Sequence, residues 1–184
     1  MKKKIILLAL LYLLIAGCAY LYYNPIVLRS DKRYAFIFNP KSLNDTDVFD
    51  TYYDIEMFCP TDTLKLFEHF DFSEGNWKVC ILFHERYDVA KSIPKGKYLE
   101  TKNIEIIRKL QNLTFEYTGG DICTLENELM LCKDNRIVFR CEVALDNNEV
   151  GFQSYRFGWI KSLDNQLAQL VSEFQRPMIP IVFL

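Results

Sequence analysis

"LCKDNRIVFRCEVAL", residues 131–145, carries the plainest folding instruction in the chain. Asp134 and Asn135 are residue types that tolerate the left-handed backbone of a two-residue hairpin turn. Behind them Ile137, Phe139, Cys141, Val143 and Leu145 recur at every second position, the period of a strand with one face in a core. With Asp134 and Asn135 at the turn, Cys132 falls opposite Ile137, and Cys141 lies four residues farther on, about 13 Å along the strand. That is beyond disulfide reach, so no bridge between Cys132 and Cys141 is expected and Cys141 is read as a core residue.

Working outward, residues 123–133 form the partner strand, and Asp146-Asn147-Asn148 turns the chain into another over 150–160. A short strand at 114–117, closed by Gly119-Gly120, comes before them. Trp77, Val79, Ile81 and Phe83 alternate with Lys78, Cys80, Leu82 and His84 as a further strand, and residues 34–38 and 51–58 are aromatic-rich strand candidates. Such a meander needs cover on its faces. Three helices are expected to supply it: 61–70, capped by Thr61 or Asp62 with Leu64, Phe67 and Phe70 on one face; 102–112, capped by Thr101; and 162–175, with Leu163, Leu167, Leu170, Val171 and Phe174 in one stripe. Arg176-Pro177 stops the last helix, and the uncharged tail "MIPIVFL" is expected to add to a sheet edge or pack on the core. The expected fold class is α+β, an antiparallel meander sheet packed by about three helices behind an N-terminal anchor or signal.

That N-terminal segment reads "MKKKIILLALLYLLIAGCAYLYYNP" and is uncharged from Ile5 to Tyr23. As a helix it would reach about 28 Å, close to the hydrocarbon thickness of a bilayer. The same residues fit a secretory signal, with a basic start, an apolar centre and small residues at Ala16 and Gly17. Ile15-Ala16-Gly17-Cys18 resembles the lipobox of bacterial lipoprotein precursors. The resemblance covers only this end of the chain and implies lipidation of Cys18, which would become the new N-terminus after cleavage. The segment departs from that pattern after Cys18, where Ala19-Tyr20-Leu21-Tyr22-Tyr23 replaces a polar tether with residues suited to an aromatic membrane belt. A cleaved lipoprotein, an uncleaved single-pass anchor and a buried N-terminal helix are therefore all on the table. In the first two, Lys2, Lys3 and Lys4 hold the start of the chain in the cytoplasm and place the rest in the cell envelope, outside the cytoplasm. The expected organisation is signal or anchor over 1–23, membrane-proximal linker over 24–33 and a single α+β domain over 34–184.

The chain has 24 acids and 22 Lys or Arg; removing Lys2 to Lys4 leaves 19 bases and a net charge of −5 for the rest. Nucleic acid is excluded as a natural partner by that sign, whereas a basic protein is accommodated. Residues 44–56 concentrate the acids. Asp45, Asp47, Asp50 and Asp54, with Phe49, Tyr52 and Tyr53 between them, make a candidate partner-binding surface, because aromatic residues anchor interfaces. This stretch has no glycine, so it does not match a calcium-binding EF-hand loop.

Of six cysteines, those other than Cys18 number five, so at least one of them cannot be bridged within the chain. Cys59, His69, Cys80 and His84 match no zinc-ligand spacing, and His84-Glu85-Arg86 lacks the second histidine of the helical zinc motif. Two glycosylation sequons, at Asn44 and Asn112, carry no weight beside a bacterial lipobox. No nucleophile elbow, phosphate loop or dinucleotide fingerprint is present, and no catalytic residue, metal or cofactor is assigned. In architecture the outline is similar to envelope accessory lipoproteins and toxin-neutralising immunity proteins. The expected function is a membrane-anchored, extracytoplasmic protein-binding module; an envelope hydrolase using His84 with a carboxylate, or a structural subunit of a membrane complex, are the alternatives.

Overall fold

The computed structural model describes residues 2–28, 62–84, 89–120, 127–154 and 157–184. Helix α1 (Lys2–Tyr23) opens the chain and is followed by strand β1 (Ile26–Leu28). The domain then runs β2 (Thr63–Leu64), β3 (Trp77–Leu82), β4 (Tyr98–Thr101), α2 (Ile104–Lys109), β5 (Phe115–Tyr117), β6 (Glu128–Lys133), β7 (Arg136–Leu145), β8 (Val150–Ser154), β9 (Gly158–Ser162), α3 (Gln166–Ser172) and β10 (Ile181–Phe183). Strands β2-β5-β9-β8-β7-β6-β3-β4, in that spatial order, form an eight-stranded sheet, every neighbouring pair antiparallel. The fold is α+β, with a large antiparallel sheet and three helices among the described residues.

The hairpin of β6 and β7 turns as its sequence dictates. Asp134 and Asn135 both take positive φ, 50° and 62°, so the turn matches the right-handed twist of the strands. Cys132 pairs with Ile137, but one step on Leu131 pairs with Phe139, and Val138 is the extra residue of a β-bulge. The bulge reverses which side Ile137 faces. Phe139, Cys141, Val143 and Leu145 enter the main core with Val138 packed against it, whereas Ile137 joins a second core on the opposite side of the sheet.

The main core is aromatic. Phe67 packs edge-on against Phe139 and Phe152 at 5.3 and 5.9 Å, and Phe115 lies 5.1 Å from Phe152. Each buried phenyl contributes roughly 1.5–3 kcal/mol through the area it removes from water. Ile107, Leu110, Leu167, Leu170 and Val171 cover this side from the helical segments. Asn103, rather than Thr101, caps α2, its Oδ1 accepting from the Glu105 amide at 3.0 Å. The helix expected over 61–70 does not form. Leu64 instead pairs with Phe115 in β2, and the residues after it make only single turns, the Glu68 amide donating to the Lys65 carbonyl and the Phe70 amide to the Phe67 carbonyl, while Leu66 and Phe67 enter the core.

On the other side, Cys80, Leu82, Tyr98, Met130, Cys132 and Ile137 are covered by Val182 and Leu184, with Val27 packed alongside. Val27 belongs to β1 and Val182 to β10, with Leu184 just past its end, and the two strands pair in parallel: Ile26 with Ile181, Val27 with Val182 and Leu28 with Phe183. The tail thus pairs with the residues that follow α1, not with the edge of the large sheet. Part of the segment read as a linker is in this way a strand.

Candidate functional site

Within Lys4–Tyr23 an 18-residue stretch of α1 has a mean hydropathy of 2.4 and none of that stretch is buried, so by length and composition it can cross a membrane and it is not a core helix of the domain. Only Asn24 and Pro25 separate it from β1. The junction is tied down. The Lys97 amide donates to the Tyr23 carbonyl at 2.7 Å, and Arg176 lies over the Tyr22 and Tyr23 rings at 4.5 and 4.8 Å while its Nη1 donates to the Lys95 carbonyl at 2.7 Å. A guanidinium above two phenol rings is an electrostatic attraction to their negative faces. Gly96 lets the loop come this close, since at φ 146° a Cβ there would stand 3.2 Å from Arg176 Cγ.

Beside this junction opens a cleft of about 950 Å³. Buried Phe83 and Ile93 with half-buried Val89 give it an apolar floor, and Lys91, Lys95, Lys97 and His84 stand on its rim. Strand β3 delivers Phe83 and His84 as it runs out of the sheet, and the His84 amide donates to Asn127 Oδ1 at 3.1 Å. His84 Nε2 lies 3.8 Å from Glu128 Oε1. Glu128 is 8 % exposed and its carboxylate receives the Arg140 guanidinium from the neighbouring strand, which compensates the charge buried there. His84 lines the cleft, whereas Glu128 does not, and that carboxylate is already engaged by Arg140.

The thiols are elsewhere. Cys80 and Cys132 sit together in the second core, and the contact between them, with burial, raises the Cys80 thiol well above its ordinary range. Burial does the same to Cys141 in the main core. These three cysteines are unbridged and buried, and Cys80 and Cys141 are held as protonated thiols. Cys132 and Cys141 face opposite sides of the sheet, a stronger bar to a bridge than distance along the strand. His69 is beside Glu68 at 3.3 Å, in a segment whose Phe67 and Phe70 pack in the main core, whereas Cys80 lies in the second. No cluster of three or more His, Cys, Asp or Glu able to hold a metal occurs among the described residues.

Cys18 is exposed on α1. Asp45, Asp47, Phe49, Asp50, Tyr52, Tyr53 and Asp54, together with Cys59 and Cys123, lie outside the described residues. No sequence motif marks the cleft. Its only linear signal is the lysine-rich run from Lys91 to Lys97, which becomes meaningful once Arg176 brings the tail beside the helix end. No protein-family model, curated protein or solved structure matches the chain.

Proposed function

We propose that this chain is a membrane-anchored binding module that presents its domain outside the cytoplasm to a protein partner, as immunity-type or envelope accessory proteins do. The observation that carries the reading is the junction: an exposed apolar helix joined to the domain through two residues and held by Arg176, so that the domain works at a bilayer surface. The partner is basic where it meets Asp45, Asp47, Asp50 and Asp54, with Phe49, Tyr52 and Tyr53 as anchors, in keeping with the −5 charge of the chain beyond its first lysines. Cys18 is the lipidation site if the signal is cleaved. Palmitate incorporation lost in Cys18→Ala supports cleavage, and equal labelling of both forms leaves the uncleaved anchor.

The test of function is a photo-crosslinking residue at position 52 in the anchored protein in cells. A discrete protein adduct is expected, abolished when Asp50 and Asp54 are changed to Lys. The hydrolase reading is favoured by the 3.8 Å approach of His84 to Glu128. If no adduct forms and His84→Ala removes the biological effect while the fold survives, the binding module gives way to that enzyme. Alkaline phosphatase fused after Leu184 should be active; an inactive fusion would overturn the placement outside the cytoplasm.

A further inference from the structure

The two-stranded sheet has an exposed apolar outer face. Ile26 pairs with Ile181 and Leu28 with Phe183, and these four side chains are 44–63 % exposed, while Val182 between them is buried. The turn before β10 adds Met178 at 98 % and Ile179 at 69 % exposure. No charged residue occurs from Ile5 to Leu28 or from Pro177 to Leu184. Single exposed apolar side chains need no explanation, but six contiguous ones do.

Their position says what covers them. Leu28 follows Tyr23 by five residues, so its Cα can be no more than about 17 Å from the end of α1. The Ile26 amide donates to the Pro180 carbonyl at 2.8 Å, which brings the Met178-Ile179 turn to the same place. A helix that crosses a bilayer ends in an interfacial layer roughly 5–8 Å deep, where aromatic rings gather. Tyr20, Tyr22 and Tyr23 are at that level on α1, and Arg176, Lys95 and Lys97 beside them suit anionic headgroups.

We propose that the outer face of β1 and β10, with the Met178-Ile179 turn, rests in the lipid interface as a second contact with the membrane. This seats the domain on the bilayer and turns the cleft at the helix exit to a fixed angle toward the headgroups. It rests on the reading of α1 as a membrane helix.

The test uses the full chain in vesicles of phosphatidylcholine and phosphatidylglycerol, with an environment-sensitive fluorescent residue at position 178, 12 or 148. Lipids carrying a nitroxide at shallow or deep positions serve as quenchers. Position 178 is almost fully exposed, so the probe leaves the fold alone. Position 12 should be quenched by deep nitroxides, and position 178 several-fold more than position 148 by shallow ones. Quenching at 12 with 178 no more quenched than 148 overturns the second contact and leaves the helix in place; cross-linked pairs of chains through 178 would then show a second copy as the cover. No quenching at 12 removes the membrane helix itself, and the proposal with it.

Discussion

Arg176 stacks on Tyr23 with its guanidinium carbon 4.8 Å from the ring centre, and this contact joins the last segment of the chain to the end of its first helix. The pair adds to the Lys97–Tyr23 hydrogen bond and the β1–β10 pairing in holding the domain to the helix, from which only Asn24 and Pro25 separate β1.

Arg176→Ala should therefore loosen the junction more than it unfolds the domain. A cation over an aromatic face is worth about 0.5–2 kcal/mol, and two rings are involved here. Hydrogen exchange in detergent should show faster exchange of the Lys97 amide, which bonds to Tyr23, with the amides of β6 and β7 unchanged. Arg176→Lys should recover part of the protection. Uniform loss across the sheet would show that the residue is a general core support instead.

Gly151 tests the sheet from the inside. A Cβ built there would lie 2.1 Å from the Ile160 carbonyl oxygen and 2.7 Å from Trp159 Cη2, so Gly151→Ala must push β9 away from β8. A loss of about 1–3 kcal/mol is expected in denaturant unfolding. An unchanged midpoint would mean that the two strands are not so closely apposed.

Asp134 should leave a mark on acid stability. Its Oδ1 accepts from the Asn76 amide at 2.9 Å, the main cause of a pKa below the usual 3.8. The sign follows directly: the folded form holds the proton less tightly than the unfolded one, so this stabilisation is complete above the unfolded pKa and is lost as pH falls through the folded one. Asp71, bonded to Ser73, acts in the same direction. Asp134→Asn keeps an acceptor but cannot titrate, so it should flatten the fall in unfolding midpoint below about pH 4. A fall as steep as in the parent protein would remove Asp134 from the account.

Cys80, Cys132 and Cys141 should resist alkylation in the native protein and each react once after unfolding without reductant. Peptide mapping by mass spectrometry reads this directly, and a linked Cys132-Cys141 peptide would refute the opposite-face arrangement.

The sequence by itself determined the local parts of this protein. Asp134 and Asn135 specify their turn because only a few residue types accept positive φ, and the turn in turn sets Cys132 against Ile137. Period-two alternation located β3 and β7, and the uncharged run located α1, since each of these patterns is written in neighbouring residues. Only the tertiary structure decided the rest, because it depends on partners far apart in the chain. The spacing of Leu64, Phe67 and Phe70 suited a helix, yet pairing with β5 took Leu64 into a strand. The bulge at Val138 is invisible in alternation and turns Ile137 to the second core. The dry tail could have met any sheet edge. It lies against β1 where Val182 and Leu184 cover Cys80 and Tyr98, and that packing, with the bridge of Gln175 to Glu100, sets Arg176 over Tyr23 beside the cleft at the helix end.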